Sequence, residues 1–260
     1  MSVPSAPPVS PASSAATEAT PDRSALAPRR TRIKICGLTR EADVDAAVDA
    51  GADAIGFVLY PPSPRAVSVA RAAELARRLP PFVTPVLLFV NDDPARVRDA
   101  LRHVPGAMAQ FHGDESPAQC VAASGDGAHR FLRAARIPLG AAGASFDLLK
   151  YVSDFSHAHA ILLDADVAGF GGGGKAFDWS LLPTAVDAHL VLSGGLTPAN
   201  VADGIRQLRP RCHSLAVDVS SGVEADGPDD RPRKGIKDAA KIRDFVAAVR
   251  QADMAFSPSR

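Results

Sequence analysis

Residues 32–60 read RIKICGLTREADVDAAVDAGADAIGFVLY, and the order of properties along them decides the fold. Two short runs rich in apolar and β-branched residues, Arg32–Cys36 and Ala54–Leu59, flank an Ala- and Asp-rich segment whose apolar residues recur at helical spacing. Thr39 stands just before that segment. Gly51 lies just past it, where a residue free to adopt a left-handed turn ends a helix. The unit is therefore strand, helix, strand. A helical crossover between neighbouring strands makes them parallel.

The same unit recurs down the chain. Further strands are expected at Pro85–Val90, Ala107–Phe111, Arg130–Arg133, His159–Asp164, Leu190–Leu192 and Ser214–Val219, which brings the total to eight. Ser68 opens a helix that Pro80 and Pro81 stop, and Asn91 or Asp92 precedes another with Pro94 in its first turn. Thr197-Pro198 opens a third, and 237–250 closes the chain with Ile242, Phe245, Val246 and Val249 on one face. Strands apolar throughout, alternating with amphipathic helices, call for a parallel sheet covered by helices. An open doubly wound sheet satisfies the same alternation, but eight repeats in about 220 residues favour a closed (β/α)8 TIM barrel. The expected organisation is an Ala/Pro/Ser-rich disordered extension at 1–30, a barrel at 31–252 and a flexible tail at 253–260.

Composition narrows the partners. Lys and Arg number 29 against 29 Asp and Glu, so no global field draws the chain to nucleic acid or to anionic lipid. An anionic ligand needs a local site. Cys36, Cys120 and Cys212 are too few and too scattered for a disulfide framework or for zinc, which suits a reducing cytoplasm. No apolar run has the length of a membrane span, and the N-terminal stretch has no signal-peptide core.

In a barrel of this kind, chemistry gathers where strands end and the following loops begin. Cys36 ends the first strand, near a helix start that favours a thiolate, although a lone cysteine there also fits an inert core position. Arg65 follows the second strand in Tyr-Pro-Pro-Ser-Pro-Arg, held by prolines in a way that suits a bidentate grip on an anion. His112 ends the fourth strand as an acid, a base or a loop cap. Arg133 ends the fifth as a cation at the mouth, and Asp164 ends the sixth as a carboxylate that needs a partner or a role. The glycine-rich stretch 169–175 matches G-x-x-x-x-G-K, but Ala176 replaces the Mg²⁺-binding hydroxyl and the position in the fold is wrong for a nucleotide. A flap over a substrate is the better reading. Gly194-Gly195 and Ser220-Ser221 follow the last two strands, where small residues let backbone N–H groups approach a phosphate.

Taken in order, these segments resemble the phosphoribosylanthranilate isomerase family. The landmarks are KICGLT at 34–39, GFVLYPPSPR at 56–65, FVN at 89–91, QFHGDE at 110–115 and LLD at 162–164. GGGGKAFDW at 171–179, LSGGLTPANV at 192–201 and VDVSSGVE at 217–224 complete them. The resemblance implies an Amadori rearrangement in tryptophan biosynthesis, turning an aminoaldose, N-(5-phosphoribosyl)anthranilate, into an aminoketose. It implies neither metal nor organic cofactor, with a small phosphoribosyl compound as the partner of a monomer or homodimer. By the same resemblance Cys36 is the general base, Asp164 the general acid and Arg65 the grip on the anthranilate carboxylate. Asp218 is a further polar substrate contact, and Gly194, Gly195, Ser220 and Ser221 bind phosphate. The base is expected to have its thiol pKa lowered by nearby donors or by the cationic Schiff base. Phe111 and Arg133 stand where many members carry Leu and Lys, and 225–234 is longer than usual. The histidine-pathway isomerases use two aspartates, against which Cys36 argues, and pentose-phosphate epimerases use metal-binding histidines at strand ends, where His112 is the only such candidate here. A phosphate-ligand binding protein without turnover would not need both Cys36 and Asp164.

Overall fold

A computed structural model describes residues 30–166, 176–228 and 232–256. Eight parallel strands close into a barrel: β1 (Arg32–Cys36), β2 (Ala54–Val58), β3 (Thr84–Phe89), β4 (Met108–Phe111), β5 (Phe131–Ile137), β6 (Ala160–Ala165), β7 (His189–Leu192) and β8 (Ser214–Val219). Closure comes from β1 pairing with both β2 and β8. The helices are α1 (Glu41–Ala50), α2 (Val69–Ala76), α3 (Pro94–His103), α4 (Pro117–Ala123), α5 (Leu148–Asp154), α6 (Val201–Leu208) and α7 (Ala239–Ala255).

Two periodicities build the core. Alternate strand residues such as Ile33, Ile35, Ile55, Phe57, Leu87 and Phe89 join the buried faces of the helices in one large apolar layer. The intervening residues fill the barrel in two smaller clusters, Ala134, Leu162 and Val191 in one, and Cys36, Val58, Leu88 and Val90 in the other. Lys34 and Cys36 share the second parity on β1, which puts them on the barrel side of the strand.

The helix ends follow local chemistry. Ser68 accepts a hydrogen bond from Arg71 N, and Ser116 and Gln119 form a reciprocal capping box at α4. Gly51 has φ of 94° and closes α1 as expected. Asp93, one residue past the expected pair, caps α3. Thr197-Pro198 lies in a turn before α6, where the Asn200 side chain accepts from Thr197 N and donates to Gly195 O.

Three expectations change. β5 continues to Ile137 instead of stopping at Arg133. Among the described residues, a 3₁₀ turn at Trp179–Leu181 stands between β6 and β7 with no α-helix. α7 runs to Ala255, so 253–255 are helix and not tail: Asp253 accepts from Thr31 N at 2.9 Å and from Thr31 Oγ1 at 2.7 Å, and pairs with Arg209. The long segment after β8 folds into an antiparallel ribbon, β9 (Glu224–Asp226) with β10 (Pro232–Lys237). The expected extension up to residue 29, the glycine-rich flap at 169–175 and residues 257–260 lie outside the described residues.

Candidate active site

Cys36 is buried at the C-terminal end of β1, and Lys34 lies two residues behind it. Lys34 Nζ donates to Asp218 Oδ1 at 2.9 Å across the β1–β8 seam, and Ser193 Oγ donates to Asp218 Oδ2 at 3.4 Å. Gly56 on β2 opens the space these groups share. A Cβ there would stand 2.7 Å from Cys36 Sγ and 3.1 Å from Lys34 Nζ. In the free protein the electrostatics run against the lowering expected from nearby donors. Burial pushes the Cys36 thiol up, Asp218 adds to the rise, and Lys34 opposes it. Burial also works against the Lys34 charge, but Asp218 and Cys36 outweigh it and raise Lys34 to about 12. Burial thus favours the neutral thiol of Cys36 in the free protein, with the Lys34 cation beside it.

Asp164 is buried at the end of β6. Its Oδ1 accepts from Ala165 N at 2.9 Å, and its Oδ2 lies 3.0 Å from His112 Nε2. The other ring nitrogen of His112 lies 2.9 Å from Gln110 Nε2. Both nitrogens are thus occupied within the chain. Gly194 is required here, because a Cβ would come within 2.8 Å of Asp164 Oδ1 and the backbone has φ of 78°.

Arg65 meets a carboxylate of its own chain. Its Nε and Nη2 donate to Glu224 Oε1 and Oε2 at 2.7 and 2.9 Å in a buried bidentate pair. Lys237 on β10 lies 3.4 Å from the same carboxylate and donates to Ser220 O at 2.8 Å. Burial would raise Glu224, but Arg65, Lys237 and the Gly235 N–H together hold it below the usual carboxylate range. Burial and Arg65 bring Lys237 down to about 8, with Glu224 opposing.

With this geometry in place, the sequence model of the N-(5'-phosphoribosyl)anthranilate isomerase family matches residues 33–248. The chain belongs to that family. A relative of the same name from Methylibium petroleiphilum is 61% identical over 86% of this chain and 96% of its own length. Another, from Leptothrix cholodnii, is 58% identical over 88% of this chain and 94% of its own length. The crystal structure of phosphoribosylanthranilate isomerase from Thermotoga maritima is 38% identical, with a TM-score of 0.70 over 85% of this chain and 99% of that one. A phosphoribosylanthranilate isomerase solved with reduced 1-(o-carboxyphenylamino)-1-deoxyribulose 5-phosphate is 34% identical, with a TM-score of 0.65 over 85% of this chain and 99% of that one.

In this family member, the residues expected to bind phosphate sit on two adjoining turns. Gly194 and Gly195 have φ of 78° and 64° after β7, and Ser220 Oγ donates to Cys36 O at 3.1 Å after β8. A three-residue 3₁₀ turn, Ser221–Val223, follows β8 directly, so the first helix after that strand is α7. A Cβ on Gly222 would lie 1.9 Å from Leu196 O, which brings the two turns into backbone contact. Arg133 is not at the mouth. It sits mid-strand on the helix-facing side, donates to Glu115 Oε2 at 2.7 Å and stacks 4.8 Å from the Phe155 ring. The cation at the end of β5 is Arg136, paired with Asp114 and near Asp166.

Sequence reading missed Lys34, Gln110, Glu224 and Lys237 as parts of the site. Three of them stand in the quoted landmarks, in KICGLT, QFHGDE and VDVSSGVE, so a signal existed. Among the described residues, no group of three or more His, Cys, Asp or Glu is placed to hold a metal ion, and no helix is long and apolar enough to cross a membrane.

Proposed function

We propose that the chain isomerises N-(5'-phosphoribosyl)anthranilate to 1-(2-carboxyphenylamino)-1-deoxyribulose 5-phosphate in the tryptophan branch of metabolism, in the cytoplasm, with Asp164 as acid and Cys36 as base. The observation that carries this reading is the placement of Cys36 and Asp164 at the C-terminal ends of β1 and β6 in one barrel, with the Lys34–Asp218 pair next to the one and His112 against the other.

Asp164 gives a proton to the furanose ring oxygen, and the C1–O bond breaks to leave a protonated Schiff base. Cys36 then takes the proton from C2, and the resulting enolamine rearranges to the aminoketone. The raised thiol gives this order a physical basis. Burial favours the protonated thiol of Cys36 before substrate binds; the positive Schiff base joins Lys34 in favouring the thiolate, and the thiol gives up its proton to water before it takes the one from C2. Each group contributes roughly 10²–10⁴-fold when well placed.

Glu224 occupies Nε and Nη2 of Arg65, so the Nη1 edge is the part offered to the anthranilate carboxylate. Asp218 is a substrate contact that also holds Lys34 in place. Gly194, Gly195, Ser220 and Ser221 present backbone and hydroxyl donors to the phosphate, while buried Lys237 fixes Ser220 from behind. A dimeric state is recorded for the T. maritima protein, one of whose structures is 33% identical to this chain with a TM-score of 0.65. Light scattering decides between monomer and homodimer here. The activity is tested by adding the chain to freshly generated phosphoribosylanthranilate: its fluorescence should vanish at a rate proportional to protein. Decay no faster than the spontaneous breakdown of the substrate would overturn the reading.

A further inference from the structure

The Asp164–His112 contact continues one residue further, to a side chain with no assigned part. Gln110 is fully buried on β4, and its amide is the group that meets His112 Nδ1, at 2.9 Å. Its other amide atom, Oε1, is buried without any hydrogen-bond partner. A buried orphan next to an acid's own partner calls for an account.

The chemistry of the three groups makes the line directional. An amide nitrogen has only protons to give, so the nitrogen it faces must accept. His112 then carries its ring proton on Nε2 and donates it to Asp164 Oδ2, which receives it as a carboxylate. In that arrangement the acid is spent. An acid ready to protonate a ring oxygen belongs to a pair holding one more proton. That proton lies either on Asp164, with the ring proton moved to Nδ1, or on an imidazolium that donates from both nitrogens. In both forms Nδ1 bears a hydrogen and needs an acceptor. Turning the Gln110 amide over supplies one, because it brings the unpartnered Oε1 to Nδ1.

We propose that Gln110 is a positioning residue that sets the proton content of the His112–Asp164 pair, by presenting amide nitrogen to the spent pair and amide oxygen to the loaded one. The proton delivered to the substrate leaves from Asp164, and the pair regains one from water before the next turnover. Charged groups on the neighbouring elements are already engaged: Arg133 with Glu115, Arg136 with Asp114 and Asp166, and Lys34 with Asp218. The inference rests on Asp164 as the acid.

Histidine NMR with ¹⁵N label reads the tautomer directly, the His112 signals being those lost in His112→Asn. In the wild-type free protein at pH 9, Nδ1 should show the shift of an unprotonated acceptor and Nε2 that of a protonated nitrogen. Gln110→Glu, ionised at pH 9, offers only acceptors, so Nδ1 should stay protonated at the same pH, and the basic limb of the kcat/KM profile should move up by about one pH unit or more. Gln110→Met fills the space with no polar face. It should mix the two tautomers and lower kcat about tenfold with KM within about twofold. Identical histidine spectra in wild type and both variants would overturn the proposal, even if kcat fell, because the role would then be packing alone. Full kcat in Gln110→Met would overturn it as well. Full turnover in Asp164→Asn would instead remove the acid assignment, leaving the tautomer measurement to stand on its own.

Discussion

Arg65 and Glu224 lie 159 positions apart in the chain and form two parallel hydrogen bonds in a buried pair. The ribbon of β9 and β10 supports this pair from the side, with Gly235 N donating to Glu224 Oε1 at 2.8 Å and Lys237 close by. The longer segment after β8 therefore carries part of the site's support. Glu224→Ala should cost about 3–5 kcal/mol, because it leaves a buried guanidinium unpaired, and should raise KM more than it lowers kcat. Urea unfolding and steady-state kinetics check both. The sign with pH follows from the lowered Glu224. Its contribution is full above the unfolded carboxylate value near 4.5 and is lost as pH falls through the lower folded value.

The thiol of Cys36 gives a second prediction. Because burial raises it above the ordinary 9.0, the rate of alkylation by iodoacetamide in the free protein should climb with pH to a midpoint above 9. Lys34→Met removes the opposing charge and leaves Asp218 without its buried cation, so alkylation at pH 9.5 should slow further. Rate against pH, followed by mass spectrometry of the Cys36 peptide, is the check. A midpoint below 9 in the wild type would contradict the account.

Close approach of the two turns after β7 and β8 makes a third. Gly222→Ala places a methyl group 1.9 Å from where Leu196 O now stands, so the turns must separate. If these turns hold the phosphate, KM should rise about tenfold or more while Tm falls only modestly. Unchanged KM would remove Ser220 and Ser221 from phosphate binding.

A fourth concerns stability away from the site. Asp253 ties the start of β1 to the end of α7 through Thr31 and Arg209. Asp253→Ala should cost about 1–3 kcal/mol in urea unfolding with kcat unchanged.

The barrel is legible because the strands are short, mostly apolar runs that alternate with helical periodicity, and because the helix breaks carry glycine and proline. β1 and β8 fall where the apolar runs suggest. The strand-end rule also picks out Cys36 and Asp164, which lie at the C-terminal ends of β1 and β6. It fails at Arg133 because pairing runs on to Ile137, and Arg133 shares the parity of Phe131 and Ala135, which face the helix layer. Partnership was the part that could not be read. Lys34 meets Asp218 across 184 positions and His112 meets Asp164 across 52, distances that only barrel closure removes. The part of the expectation in which nearby donors lower the thiol in the free protein is reversed for a related reason, since burial of Cys36 is a property of the closed fold.

The central claim is that Cys36 and Asp164 divide the proton transfers of the isomerisation between them. Steady-state turnover of freshly generated phosphoribosylanthranilate by Cys36→Ser and Asp164→Asn, each first shown by circular dichroism to keep the wild-type fold, tests it most directly. The account predicts that kcat falls by roughly 10²-fold or more in each variant. A folded variant of either residue with kcat near wild type would contradict it.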